Sequence, residues 1–232
     1  MALPVLEVPT YELTQPSTGN KIKFRPFLVK EHKTLLTMVE ADSDEVTRIV
    51  KELVDVCTFK KLKLNDLPHF DVEYIFMQLR AKSISEKVDV VITCANCGEK
   101  YDSFFNIDDL KVEKAKNLSN KVMITEKIGI QLKYPNFVDV VKIFESENIS
   151  DVLDMVKSCT VGIFDDENFY DIREQTDEEI NNFLESLTKE QIEKIEEFFV
   201  NSPKIVQEVN TECTHCNHKN ISRIQGLQNF FV

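Results

Sequence analysis

The chain has 232 residues, of which 42% are hydrophobic and 29% charged, and its 28 Lys and Arg against 40 Asp and Glu leave a net charge of −12. This balance excludes an intrinsically disordered chain, and with no apolar run of about 18 residues there is no candidate transmembrane helix. The acidic excess argues against a general nucleic-acid binder, whose affinity comes mainly from Lys and Arg on phosphates.

Residues 5–27 read as a β-hairpin. Val5-Leu6-Glu7-Val8 and Tyr11-Glu12-Leu13 lead into a turn cluster, Gln15-Pro16-Ser17-Thr18-Gly19-Asn20, and Ile22-Lys23-Phe24-Arg25 then alternates apolar and charged. Three helices are expected next. The first runs over residues 28–41. The second is opened by Asp42 with Glu45 and presents Val46, Ile49, Val50, Leu53, Val54 and Cys57 on one face. The third, about residues 71–82, carries an apolar stripe of Val72, Ile75, Phe76 and Leu79.

Ser83-Ile84-Ser85 breaks this helix. Val88, Val90 and Ile92 alternate along a strand that enters Cys94-Ala95-Asn96-Cys97-Gly98, and Tyr101, Ser103 and Phe105 lie on the return strand. Two Cys thiolates at this spacing can both reach one metal about 2.3 Å away. Beyond the knuckle comes a charged stretch from Asp108 to Lys116, then strand-like runs at 122–124 and 128–132. From Val138 to about residue 201 the pattern reads as helical, interrupted by a loop over 161–175. The acidic cluster in that loop lacks the ordered ligand ladder of an EF-hand. Thr176 with Glu179, and Thr188 with Gln191, form capping boxes that open two acidic helices.

After Asn201-Ser202-Pro203 a second strand, from Ile205, enters Cys213-Thr214-His215-Cys216-Asn217, with Ile221 and Ile224 on its return. The two knuckles are 116 residues apart. That gap is too long for an ordinary zinc finger, so they read as one four-cysteine site split by an insertion. The chain closes on the aromatic segment Gly226-Leu227-Gln228-Asn229-Phe230-Phe231-Val232.

Cys94, Cys97, Cys213 and Cys216 are therefore the candidate ligands of a structural Zn2+. The start of the chain lacks the basic and apolar segments of a signal peptide, so a reducing compartment is expected, where such pairs bind metal more often than they form disulfides. A thioredoxin-like role would need a helix N-terminus at the Cys-x-x-Cys, and neither copy opens a helix. His215 and His218 could each replace a cysteine as ligand. Cys57 and Cys159, in apolar helical patterns, read as packing residues. No P-loop, His-Glu-x-x-His or Gly-x-Ser-x-Gly motif is present, so no catalytic residue and no further cofactor is assigned.

The order of elements also carries a resemblance. An N-terminal strand pair is followed by Phe27-Leu28-Val29-Lys30-Glu31-His32-Lys33, and then by Asp71-Val72-Glu73-Tyr74-Ile75-Phe76-Met77-Gln78-Leu79-Arg80-Ala81-Lys82-Ser83. The first Cys-x-x-Cys follows, and the second precedes Gly226-Leu227-Gln228-Asn229-Phe230-Phe231. This resembles the small baseplate hub family of T-even-like tailed bacteriophages. The resemblance implies a structural or assembly role in the tail baseplate hub, with other hub or tail proteins as partners. It also implies the infected host's cytoplasm during assembly, or the virion tail baseplate, as the location.

The expectation is an α+β protein, mostly helical, with an N-terminal β-hairpin and a split four-cysteine zinc ribbon. Its parts would be residues 1–87 (hairpin and helices), 88–106 with 204–232 (ribbon) and 107–203 (a mainly helical insert), forming one compact unit. The expected function is non-enzymatic and works by protein–protein contacts, through the N-terminal strands and the Phe-rich segment 226–232. The alternative is an intracellular zinc-ribbon adaptor for nucleic acid or a protein partner, encouraged by Lys204, Lys219 and Arg223 and offset by Glu208 and Glu212.

Overall fold

The structure is a computed structural model that describes residues 6–40, 43–115, 118–144 and 148–225. In chain order, its first elements are β1 (Tyr11–Thr14), β2 (Lys21–Phe24), α1 (Val29–Leu36), α2 (Ser43–Cys57), α3 (His69–Ser83), β3 (Lys87–Thr93), β4 (Lys100–Asn106) and β5 (Lys111–Glu113). There follow β6 (Lys121–Met123), β7 (Gly129–Leu132), α4 (Phe137–Phe144), α5 (Ile149–Cys159), β8 (Thr160–Phe164) and β9 (Phe169–Asp171). The last are α6 (Asp177–Glu185), α7 (Lys189–Val200), β10 (Lys204–Glu212) and β11 (Lys219–Gln225). The chain divides into two compact units, one of Met1–Glu113 with Lys204–Val232 and one of Lys114–Pro203.

The first unit is built around α3. A helix that is apolar all round belongs in a core, and α3 buries Phe70, Val72, Ile75, Phe76, Met77, Leu79 and Ala81, which cover most of its circumference. The single stripe expected from the sequence is therefore too narrow. Helix α2 lays Ile49, Val50, Leu53, Val54 and Cys57 into the same core. The hairpin β1–β2 alternates as its sequence dictates, with Leu13, Ile22 and Phe24 inward, and Gly19 closes its turn at φ +76°. That turn is tied to the first turn of α3. The buried Asp71 carboxylate accepts from Ser17 N–H at 3.0 Å and from Gln15 Nε2 at 2.7 Å. Arg25 and Glu31 pair at 3.0 Å with both side chains nearly buried, and Glu31 also accepts from Leu28 N–H at 2.7 Å. Strands β3–β4 form one antiparallel sheet, and β11–β10–β5 form another.

The second unit is a four-stranded antiparallel sheet, β6–β7–β8–β9, with helices α4 to α7. Its core joins Ile124, Ile130 and Leu132 from the sheet side to Val156, Ile180, Leu184, Ile195 and Phe198 from the helices. Tyr134 stacks on Phe198 with ring centroids 5.6 Å apart. Both capping boxes form: Thr176 with Glu179 opens α6, and Thr188 with Gln191 opens α7.

As described, the structure is about 40% helix and 28% strand, with four small sheets among the described residues, which corrects the expectation of a mostly helical fold. The loop expected over 161–175 contributes most to that error. The run Thr160-Val161-Gly162-Ile163-Phe164 is β-branched and aromatic, and it pairs with β7 on one side and β9 on the other. Its acidic cluster is the turn between β8 and β9, where Asp165 Oδ1 accepts from Glu167 N–H at 2.8 Å and Asn168 N–H at 2.7 Å. Asp42, Val5 and the segment 226–232, each assigned a role from the sequence, lie outside the described residues.

Candidate metal centre

Both knuckles sit at the tips of hairpins, for the same local reasons. The last strand pair before the first knuckle is Thr93 with Lys100, and before the second Glu212 with Lys219. The Cys94 carbonyl accepts from Gly98 N–H at 2.9 Å, and Cys94 N–H donates to the Glu99 carbonyl at 2.9 Å. Cys213 repeats this with Asn217 N–H at 2.9 Å and the His218 carbonyl at 2.8 Å. The turn requires a left-handed residue after the second cysteine, and Gly98 and Asn217 adopt φ +75° and +56° there. Gly and Asn are the residues that reach this region at least cost.

Folding brings the four sulfurs of Cys94, Cys97, Cys213 and Cys216 within 4.8 Å of one another. Cys94 Sγ lies 3.7 Å from Cys216 Sγ, and Cys97 Sγ lies 3.7 Å from Cys213 Sγ. A tetrahedron with metal–sulfur bonds of about 2.3 Å has sulfur–sulfur edges of about 3.8 Å, so the donor set fits a tetrahedral thiophilic ion such as Zn2+. All six cysteines are free thiols.

The knuckles also grip each other through polar side chains. Asn220, buried on β11, accepts from Ala95 N–H at 3.0 Å and points its Nδ2 at Cys94 Sγ, 3.6 Å away. The same nitrogen donates to Tyr101 Oη at 3.0 Å, and Tyr101 Oη bonds Thr211 Oγ1 at 2.6 Å. Asn96 Nδ2 reaches across to Cys216 Sγ at 3.6 Å, and His215 N–H points at Cys213 Sγ at 3.4 Å. Tyr101 and Asn220 stand at the same offset from the first cysteine of their own knuckle, so the link between them joins equivalent positions.

These donors set the ionisation. Burial opposes a thiolate at Cys94, yet the Cys97 and Asn96 amides, the Asn220 carboxamide and the Cys97 thiol together hold its thiol below the usual range. Cys216 is held down by the Asn96 carboxamide and the His218 amide. Cys97 has the Glu99 amide in favour of its thiolate, but burial and the three neighbouring sulfurs push it up. These donors favour the thiolate at Cys94 and Cys216, the form in which a cysteine binds a metal dication. Four protein sulfurs around one ion leave no open position for substrate.

The other sequence candidates lie elsewhere. His215 and His218 are exposed, and neither imidazole belongs to the cluster. Cys57 and Cys159 are buried in the core, with burial pushing their thiols up to about 11 and about 12. Asn96, Asn220 and Thr211 were not singled out from the sequence. The alternation of β11 gives no signal for Asn220, since its apolar neighbour Ile221 is the exposed one.

Fold and site define a two-unit α+β protein with a four-thiol centre closed by two hairpin knuckles. A family model described as T4 bacteriophage base plate protein matches residues 8–232, and the chain belongs to that family. The likeness to T-even-like phage baseplate proteins expected from the sequence is thereby borne out. No curated protein and no solved structure matches the chain significantly. Among the described residues, no helix is long and apolar enough to cross a membrane.

Proposed function

We propose that the protein is a non-enzymatic structural or assembly component of a tailed-phage baseplate hub, with one structural Zn2+ held by Cys94, Cys97, Cys213 and Cys216. The observation that carries the metal reading is the convergence of four sulfurs, from knuckles 116 residues apart, at 3.7 Å edges. The family match over residues 8–232 supports the baseplate role. The ion acts as a clasp: it fixes the β3–β4 tip against the β10–β11 tip and so sets the surface that other hub or tail proteins meet. Work of this kind proceeds by protein–protein contacts, during assembly in the host cytoplasm and in the tail baseplate.

Two experiments test the two halves separately. Cobalt substituted into the purified protein should give the visible absorption of a tetrahedral all-thiolate site, and a spectrum without sulfur-to-cobalt charge transfer would contradict the ligand set. A tagged chain purified from infected cells should bring down other tail proteins. Cys94→Ser and Cys213→Ser should each reduce that yield, and to the same extent, because each opens the same clasp from an opposite side. Recovery of nucleic acid without tail proteins would overturn the baseplate reading.

A further inference from the structure

The second unit carries a cleft of about 290 Å3 between the sheet and α6, walled by Ile128, Ile163, Phe164, Ile180 and Phe183. Its volume lies just below the roughly 300–1,000 Å3 of small-molecule pockets, and suits one or two aliphatic side chains. The polar groups at its mouth include Asp165 and Glu179. Asp165 is held ionised by the Glu167 and Asn168 amides, and Glu179 by the Thr176 amide and hydroxyl. Asp166, Glu167 and Glu178 are exposed beside them in the sequence. Of the cations nearby, Lys121 stands over the Phe164 ring at 5.5 Å, and Lys127 is exposed beside Ile128 in the sequence.

Helix α1 has the opposite character. Val29 and Leu36, two turns apart on one face, are 75% and 64% exposed, far more than aliphatic side chains on a helix that is finished by its own core. Lys33 and His32 flank this stripe, both exposed, and Lys30, also exposed, lies beyond and pairs with Glu31 at 3.5 Å. The single acidic residue of the helix, Glu31, is turned inward onto Arg25. In a chain of net charge −12 this is a basic, apolar helix face.

We infer that α1 of one copy docks into the acidic-rimmed cleft of a second copy, with Leu36 as the anchor in the cleft and Lys33 against Asp165 and Glu179. The contact uses different patches on the two partners, so it is head-to-tail and builds closed rings or open chains rather than stopping at a two-fold dimer. It does not rest on the metal reading. The patches are small and charged, so association should rise with concentration and fall with salt.

Sedimentation velocity of the full-length protein tests this. Wild type should shift to species beyond a dimer as concentration rises, and the shift should weaken at high salt. Leu36→Glu spoils the helix and leaves the cleft intact, whereas Ile128→Glu spoils the cleft and leaves the helix intact. Each variant alone should remain a monomer with wild-type circular dichroism. Mixed one to one, they should form a dimer that grows no further, because the mixture contains one good helix and one good cleft per pair. The restored dimer also distinguishes lost docking from lost folding. A wild type that stays monomeric at every concentration would overturn the inference, as would oligomers that survive both substitutions, or a mixture that fails to pair.

Discussion

The Asn220 carboxamide accepts from the Ala95 amide and donates toward Tyr101 Oη and Cys94 Sγ, so one side chain serves both knuckles. Groups that orient metal ligands typically carry about 10–100-fold of the affinity. Asn220→Ala should therefore weaken Zn2+ binding by about that factor in a competition titration with a chelator, and unchanged affinity would remove Asn220 from the site. It should also cost about 1 kcal/mol of stability, the net worth of a hydrogen bond, because the exposed Ala95 amide loses its partner while Tyr101 Oη keeps Thr211. A second residue-scale prediction concerns Glu73 on α3, whose carboxyl is pushed up to about 8 by burial. The unfolded chain releases this proton near pH 4.5, whereas the folded chain keeps it until about pH 8. The group therefore lowers stability progressively as pH rises from about 4.5 to about 8, and changes nothing further above or below that window. Glu73→Gln removes the penalty. Urea melts should show the variant gaining on wild type as pH rises through the window, and identical pH profiles would contradict the assignment.

Among the elements, the sheet of the second unit makes the sharpest demand on its sequence. A Cβ on Gly162 would lie 2.3 Å from Phe169 Cζ and 2.7 Å from the Tyr170 carbonyl oxygen, so the backbone of β9 would have to move. A Cβ on Gly129 would meet only the far end of the Phe164 ring, at 2.2 Å. Overpacking of this kind costs about 1–3 kcal/mol. Gly162→Ala should lower the melting temperature clearly, and Gly129→Ala should lower it less, since a ring can rotate where a paired strand cannot. Equal losses would show that ring and backbone yield alike. These strands also mark where sequence reading reached its limit. The strands that flank the knuckles were legible because one side faces water, so Val88, Val90 and Ile92 alternate with polar or exposed neighbours. Strand β8 was not, because Thr160, Gly162 and their neighbours are buried or half-buried on both faces, and no alternation survives. Helix α3 was found, but its near-complete burial was not, since Asp71 and Glu73 look like a solvated face until Asp71 is seen accepting from the hairpin turn. The four cysteines were legible as a set from chemistry and repetition alone. The asparagines that brace them were not, because a hydrogen bond from Asn220 to a knuckle 125 residues away leaves no local pattern.

At the scale of the whole molecule, the long interval between the knuckles has a mechanical meaning. The segment Lys114–Pro203 folds as its own unit and leaves and re-enters the first unit through β5 and β10, which pair with each other at Lys204 with Glu113. Strand pairing closes the insertion at its base, and the four-thiol centre closes the hairpin tips that flank it in sequence. An ion there would stabilise the first unit locally, adding to the Asn220 network, the Asn96–Cys216 contact and the packing that join β3–β4 to β10–β11. Elemental analysis of the purified full-length protein tests this most directly. One zinc per chain is the predicted result, falling to a small fraction of that in Cys94→Ser and Cys213→Ser. Two ions per chain, or none alongside six titratable thiols, would contradict it.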